Sequence, residues 1–141
     1  MNATIEKFGY PATLIREYDH WVLMLRPAQV TAGSVILAAK GGASAYGDLT
    51  DAAFVEQGRI VGELESRLKN VIEYEKINYL MLMMVDRHVH FHIFPRYGGR
   101  RSLAGISFED SGWPGPPDLK SGVECGSEWI ERAVNLLRTG Q

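Results

Sequence analysis

The chain has 141 residues, 45% of them hydrophobic and 23% charged, and its formal net charge is −2. That length suits one domain spanning 1–141, and the apolar share supplies a core that disordered chains lack. The near-neutral balance excludes a general nucleic-acid binder and a protein held to membranes by basic charge.

The sole cysteine, Cys125, permits no intramolecular disulfide and suits a reducing compartment. The first residues, MNATIEKFGYP, lack the apolar segment that a signal peptide carries. The longest strongly apolar run, Tyr79 to Val85, is far short of the ~20 residues that cross a bilayer. A soluble, cytoplasmic protein with no membrane partner is expected.

In chain order, Thr13 to Tyr18 and Trp21 to Arg26 are short β-compatible stretches. Pro27 and Gly33 bracket a turn, and Ser34 to Lys40 makes the next strand. Gly41, Gly42 and Gly47 then loosen the chain into a loop. From about Asp51 the period becomes helical, with Val55, Val61, Leu64, Leu68, Val71 and Ile72 at spacings of three, four and seven. Thr50 is the N-cap, and Asp51 complements the helix dipole. Gly58 and Gly62 fall inside this helix, where each costs up to ~1 kcal/mol relative to Ala. Their placement suits close passage of the helix over a sheet.

Ile77 to Val85 is almost continuously apolar and predicts a central strand buried on both faces. Asp86-Arg87 suits a tight turn. His88 to Phe94 then alternates with period two until Pro95 ends it, making a hairpin at the heart of the sheet. Residues 96–126 read as a long Gly- and Pro-rich irregular loop that covers something or carries function. Trp113 in that loop either anchors it or closes over a pocket or dimer contact. Ser127 is the expected N-cap of a last helix with Glu128 and Glu131 in its first turn. Ile130, Ala133, Val134 and Leu137 form its buried stripe.

Chemistry concentrates in His88-Val89-His90-Phe91-His92-Ile93-Phe94. Residues two apart on a strand share a face at ~6.6–6.8 Å, so the three imidazoles project together while Val89, Phe91 and Ile93 pack behind. A core has little use for three such rings, because each needs its own hydrogen-bond partner when buried. Two chemistries fit. In the first, the histidines bind a metal such as zinc. The outer pair, ~13 Å apart on a flat strand, then needs help from a residue such as His20 or Asp86. In the second, a neutral imidazole is the nucleophile toward a phosphate, and its flanking rings assist. Arg87, Arg96, Arg100 and Arg101 surround the triad, and Asp86 is the only acid between 86 and 101. That local basic patch suits a phosphate-bearing ligand.

This stretch resembles the H-φ-H-φ-H-φ-φ motif of the histidine triad (HIT) family, with φ apolar, and Pro95-Arg96 follows as in many members. The likeness runs from about residue 13 to residue 97. It implies an α+β fold: a five-stranded antiparallel sheet with one long helix and a C-terminal helix, commonly paired into a homodimer. It also implies a nucleotide hydrolase or nucleotidyltransferase. Such an enzyme acts at the α-phosphate of a dinucleoside polyphosphate or nucleoside phosphoramidate through a covalent nucleotidyl-histidine, without a resident cofactor. By position, His90 is the nucleophile, and His88 and His92 assist at the phosphate. Histidine at the third position matches the hydrolase branches rather than the hexose-phosphate uridylyltransferases, which carry glutamine there.

The sequence departs from that pattern in two places. Met83, Met84 and Val85 stand where hydrolases carry a polar, glycine-containing phosphate loop, and Arg26 stands near a usual asparagine. Arg26, Asn78 and Arg96 are therefore the candidate substrate-binding residues. The rival readings are a nucleotide-binding sensor without turnover and a zinc-dependent hydrolase.

Overall fold

A computed structural model describes residues 1–140. A short helix, α1 (Ala3–Lys7), precedes strands β1 (Leu14–Glu17), β2 (Trp21–Leu25), β3 (Ala28–Gln29) and β4 (Val35–Ala39). The long helix α2 (Asp51–Ile72) leads to β5 (Lys76–Leu80) and β6 (His90–Arg96). Strands β7 (Arg100–Leu103), β8 (Ile106–Glu109) and β9 (Val123–Glu124) then precede α3 (Ser127–Thr139). The expected class holds: β1, β2, β4, β6 and β5 lie side by side in that order in a wholly antiparallel five-stranded sheet. No helix among the described residues is long and apolar enough to cross a membrane.

The pleat sorts side chains into two apolar layers. Leu23, Leu25, Val35, Leu37 and Ile93 point to the face covered by α2 and α3, and Val89 joins them. Val22, Met24, Ile36 and Ala38 point the other way, where Ile5 and Phe8 at the chain start cover them. One face is thus sealed by two amphipathic helices, and the other is only partly roofed.

Thr50 caps α2 as expected, its hydroxyl accepting the Ala53 N–H at 3.2 Å. The buried stripe differs from the predicted one. It runs Ala53, Glu56, Ile60, Leu64, Leu68 and Ile72, while Val55 is 67% exposed. Glu56 disguises the pattern because its carboxylate faces inward to accept the main-chain N–H groups of Asp19 and His20. Gly58 and Gly62 do not pass over the sheet; both are exposed, and a Cβ on either meets nothing within 4 Å. The close approach is at Gly33 instead. It holds φ +82° where a Cβ would come within 2.9 Å of Ile72, so the turn between β3 and β4 packs against the end of α2.

Three further expectations are corrected. The apolar run at 77–85 is an edge strand only as far as Leu80; beyond it Leu82, Met84 and Val85 are exposed, on a loop rather than a tight turn. Strand β6 begins at His90, two residues late, and continues through Pro95. There β4 has already ended, since its first residue, Val35, pairs with Ile93, so the missing N–H has no ladder partner on that side. Residues 96–126 are not one irregular loop, for β7 and β8 form a hairpin and β9 pairs with β3. Ala104 and Gly105 turn that hairpin, both at positive φ, as a two-residue turn of matching twist requires. At the last helix the N-cap is Gly126 rather than Ser127. The buried stripe there is Trp129, Ala133, Val134 and Leu137, with Ile130 half-buried and Glu131 beyond the first turn.

Candidate active site

Register fixes the site. His92 lies opposite Ile36 and His90 opposite Ala38, so both imidazoles rise from the partly roofed face. His90 is only 2% exposed. Its Nδ1 lies 2.7 Å from the His88 carbonyl oxygen. A carbonyl can only accept, so Nδ1 carries a proton, and in the neutral ring Nε2 keeps its lone pair. The next ring, His92, meets His90 edge-on at 5.1 Å and stacks on Phe94 at 6.2 Å. Burial, and then the positive charge of Arg26, lower the His92 pKa to about 4, so it is neutral at neutral pH.

Above these rings opens a hollow of about 360 Å³, lined by Lys7, Phe8, Arg26, His90, His92 and the 82–86 segment. Phe8 roofs it, 5.8 Å from the His90 ring and 5.7 Å from the His92 ring. Among the described residues, two buried side-chain polar atoms lack a hydrogen-bond partner: Arg26 Nε and His92 Nδ1. Both belong to residues that line this hollow. An unpaired buried polar atom costs about 1–3 kcal/mol, so two beside one cavity mark a place where a ligand's polar atoms belong. Burial also lowers the pKa of the Arg26 guanidinium, which nevertheless retains its charge near neutrality.

His90, His92 and Arg26 are therefore brought together. His88 stands at the edge of this group, before the strand begins, with Nδ1 2.9 Å from Thr4 Oγ1. Arg96 and Asn78 are not brought to the hollow. Arg96 is 3% exposed and grips Asp110 through Nε at 2.7 Å and Nη2 at 3.1 Å. It also donates to Asn78 Oδ1 at 2.6 Å and to the Gly115 carbonyl at 2.9 Å. Two other arginines of the basic patch also have local partners, and the third does not face the hollow. Arg100 bonds Ser107, Arg101 bonds the carbonyls of Glu73 and Gly98, and Arg87 is exposed. The indole of Trp113 lies against Gly98, beyond the end of β6 and away from the residues lining the hollow.

Sequence reading missed Thr4, Lys7 and Phe8. They sit on or beside a five-residue helix whose only local signal is its N-cap, Asn2, bonded to Ile5 N. Among the described residues, no three His, Cys, Asp or Glu side chains gather as a metal-binding group.

No family model matches the sequence, and no curated protein matches it. Solved structures do. A histidine triad protein from Sinorhizobium meliloti superposes with a TM-score of 0.78 at 18% identity, covering 100% of this chain and 96% of that one. The chain has the histidine triad fold. A hypothetical histidine triad nucleotide-binding protein from Sulfolobus tokodaii gives 0.74 at 18% identity, with 97% and 88% coverage. The diadenosine triphosphate hydrolase of Plasmodium falciparum gives 0.66 at 13% identity, with 92% and 76% coverage. Within the histidine triad fold of this chain, His88, His90 and His92 occupy the start of β6 and the two residues before it.

Proposed function

We propose that this chain is a histidine triad enzyme that hydrolyses or transfers nucleotidyl groups at an α-phosphate. The observation that carries the reading is the hydrogen bond from His90 Nδ1 to the His88 carbonyl, because in the neutral ring it leaves the Nε2 lone pair free on a residue that lines the hollow. In the first step the Nε2 lone pair forms a bond to phosphorus as the bond to the leaving group breaks. A phosphate group leaves as an anion, whereas an amine takes up a proton from solvent or from His88. In the second step water attacks phosphorus and gives up a proton to solvent, the P–N bond breaks with its electron pair returning to Nε2, and the nucleotide departs with His90 restored. Another acceptor in place of water gives transfer.

Arg26 supports this reading as the cation for the phosphate oxygens, since its Nε has no other partner and its charge stands beside His92. His92, held neutral, offers a hydrogen bond without adding charge. The likeness to a diadenosine triphosphate hydrolase supports a nucleotide substrate.

The test is a side-by-side assay of dinucleoside polyphosphates and nucleoside phosphoramidates. Release of a nucleoside monophosphate from either class supports the proposal. Tight nucleotide binding without product from any of them identifies a sensor instead.

We also propose a homodimer. The outer face of α2 presents Val55 together with the open backbone at Gly58 and Gly62, which suits a second copy better than water. Light scattering should give about twice the chain mass of 15.7 kDa. The single-chain mass at micromolar concentration contradicts it.

A further inference from the structure

Leu80 pairs with His92 across β5 and β6, so the segment that leaves β5 starts beside one histidine of the site and returns at another, His90. Leu82, Met83, Met84 and Val85 of that segment all line the hollow. Met84 and Val85 are 86% and 84% exposed, whereas His90 is 2% exposed. The nucleophile thus lies at the inner end of the hollow, and an apolar rim stands at the outer end. Met83 bends this rim at φ +54°, where glycine rests more easily than a bulky side chain.

Displacement at phosphorus runs roughly in line, with the leaving group opposite the attacking atom. Attack by His90 from the inner end drives the leaving group outward, past Leu82, Met84 and Val85. Charge narrows the choice of that group. Lys7 and Asp86 also line the hollow, but they pair with each other at 2.7 Å, and Arg26 is the lining cation left over. One ionised phosphate balances Arg26. A dinucleoside polyphosphate carries a charge on each phosphate, and the outer ones would meet Asp86 and side chains with no hydrogen-bond donor.

We propose that the hollow takes a nucleoside phosphoramidate whose amine bears an apolar substituent, and that Leu82, Met84 and Val85 hold that substituent. The inference rests on the proposed reaction and names its leaving group. His90 Nε2 forms its bond to phosphorus as the P–N bond to the amine breaks. The electron pair of that bond stays on the amine nitrogen, and a proton from solvent completes the free amine. No negative charge gathers on the departing group, so the rim needs no cation. Seating the substituent covers apolar side chains that otherwise face water.

The test compares adenosine phosphoramidates of ammonia, of phenylethylamine and of an amine bearing a carboxylate with diadenosine triphosphate. Wild type should process the phenylethyl amidate with a kcat/KM about tenfold or more above the other three, as an apolar pocket does for one apolar group. Met84→Gln combined with Val85→Thr adds polarity at exposed positions, where the core is untouched. It should shrink the ratio of phenylethyl to unsubstituted amidate about tenfold. Asp86→Asn removes the opposing charge and should raise diadenosine triphosphate relative to the amidates by about threefold to fivefold. A wild-type preference for the triphosphate or the carboxylate-bearing amidate overturns the proposal, as does an unchanged ratio in either variant. A smaller mass for the double variant in light scattering also overturns it, because a second copy then covers the rim. If no substrate turns over, the proposed reaction fails by itself. The Kd values of His90→Ala protein for the phenylethyl and unsubstituted amidates then decide the rim: a preference of about tenfold supports it, and equal affinities overturn it.

Discussion

Arg26 and Arg96 both belong to the histidine-bearing side of the sheet, and their hydrogen bonds could hardly differ more. Arg96 spends Nε, Nη1 and Nη2 on Asp110, Asn78 and the Gly115 carbonyl, with the Asp110 carboxylate gripped at two points. Arg26 donates from Nη1 to the Ala28 carbonyl and keeps a buried Nε without a partner. Its guanidinium sits 5.8 Å from the Phe94 ring, the same ring that stacks on His92. A guanidinium with four of its five N–H donors assigned within the protein is a brace. One with a spare donor beside an open hollow is equipped to meet an anion. The difference teaches that charge near a motif says little until the partners of each donor are counted.

The comparison can be broken first at the proposed nucleophile beside Arg26. His90→Ala should lower turnover by about 10⁴-fold or more while the protein still binds nucleotide, measured by kinetics and calorimetry. Residual activity close to wild type removes the reason for reading Arg26 as a phosphate ligand.

Next in size is the brace. Arg96→Met leaves the Asp110 carboxylate buried without its cation, and chemical denaturation should show a loss of about 3–5 kcal/mol. In protein that remains folded, kcat/KM should stay within about threefold of wild type, since Arg96 is committed to Asp110, Asn78 and Gly115 and does not line the hollow. A specific loss of substrate affinity would instead place Arg96 in the site.

Arg26→Met reverses that profile. Losing a charge-assisted bond of about 1.5–3 kcal/mol should lower kcat/KM by roughly tenfold to hundredfold. The melting temperature should hold or rise, because an unpaired buried donor has been removed. A drop in stability with unaltered kinetics would make the two arginines alike.

The smallest effect concerns pH. His92 titrates at about 4 in the folded protein and near its ordinary 6.5 when unfolded. As pH falls through that window the unfolded chain takes up the proton first, so His92 withdraws stability between 6.5 and about 4. In His92→Phe the fall of melting temperature over that range should be shallower than in wild type. An identical slope contradicts the assigned burial.

Much of this was legible in the residues. The period-two pattern of 88–94 identified which side chains pack and which project, and Val89 and Ile93 are indeed fully buried. The strands at Trp21 and Val35 and the cap at Thr50 followed from local rules that the structure does not override. What escaped depends on contacts distant in sequence. Asp110 meets Arg96 only through the fold, so the arginine looked free for substrate. Leu82 to Val85 looked like core because apolar residues that line an open hollow read the same as those that line a core. Helix α1 has five residues, too few for a period, and its importance comes from the side chains it delivers to His88, His90 and His92.

The central claim is that His90 forms a covalent bond to phosphorus during turnover. Enzyme mixed briefly with a nucleoside phosphoramidate or dinucleoside polyphosphate, quenched in alkaline denaturant and digested, should yield one peptide heavier by a single nucleotidyl group. Fragmentation should place that group on His90, and mild acid should remove it. Turnover without any adduct, or an adduct on another residue, would contradict the account.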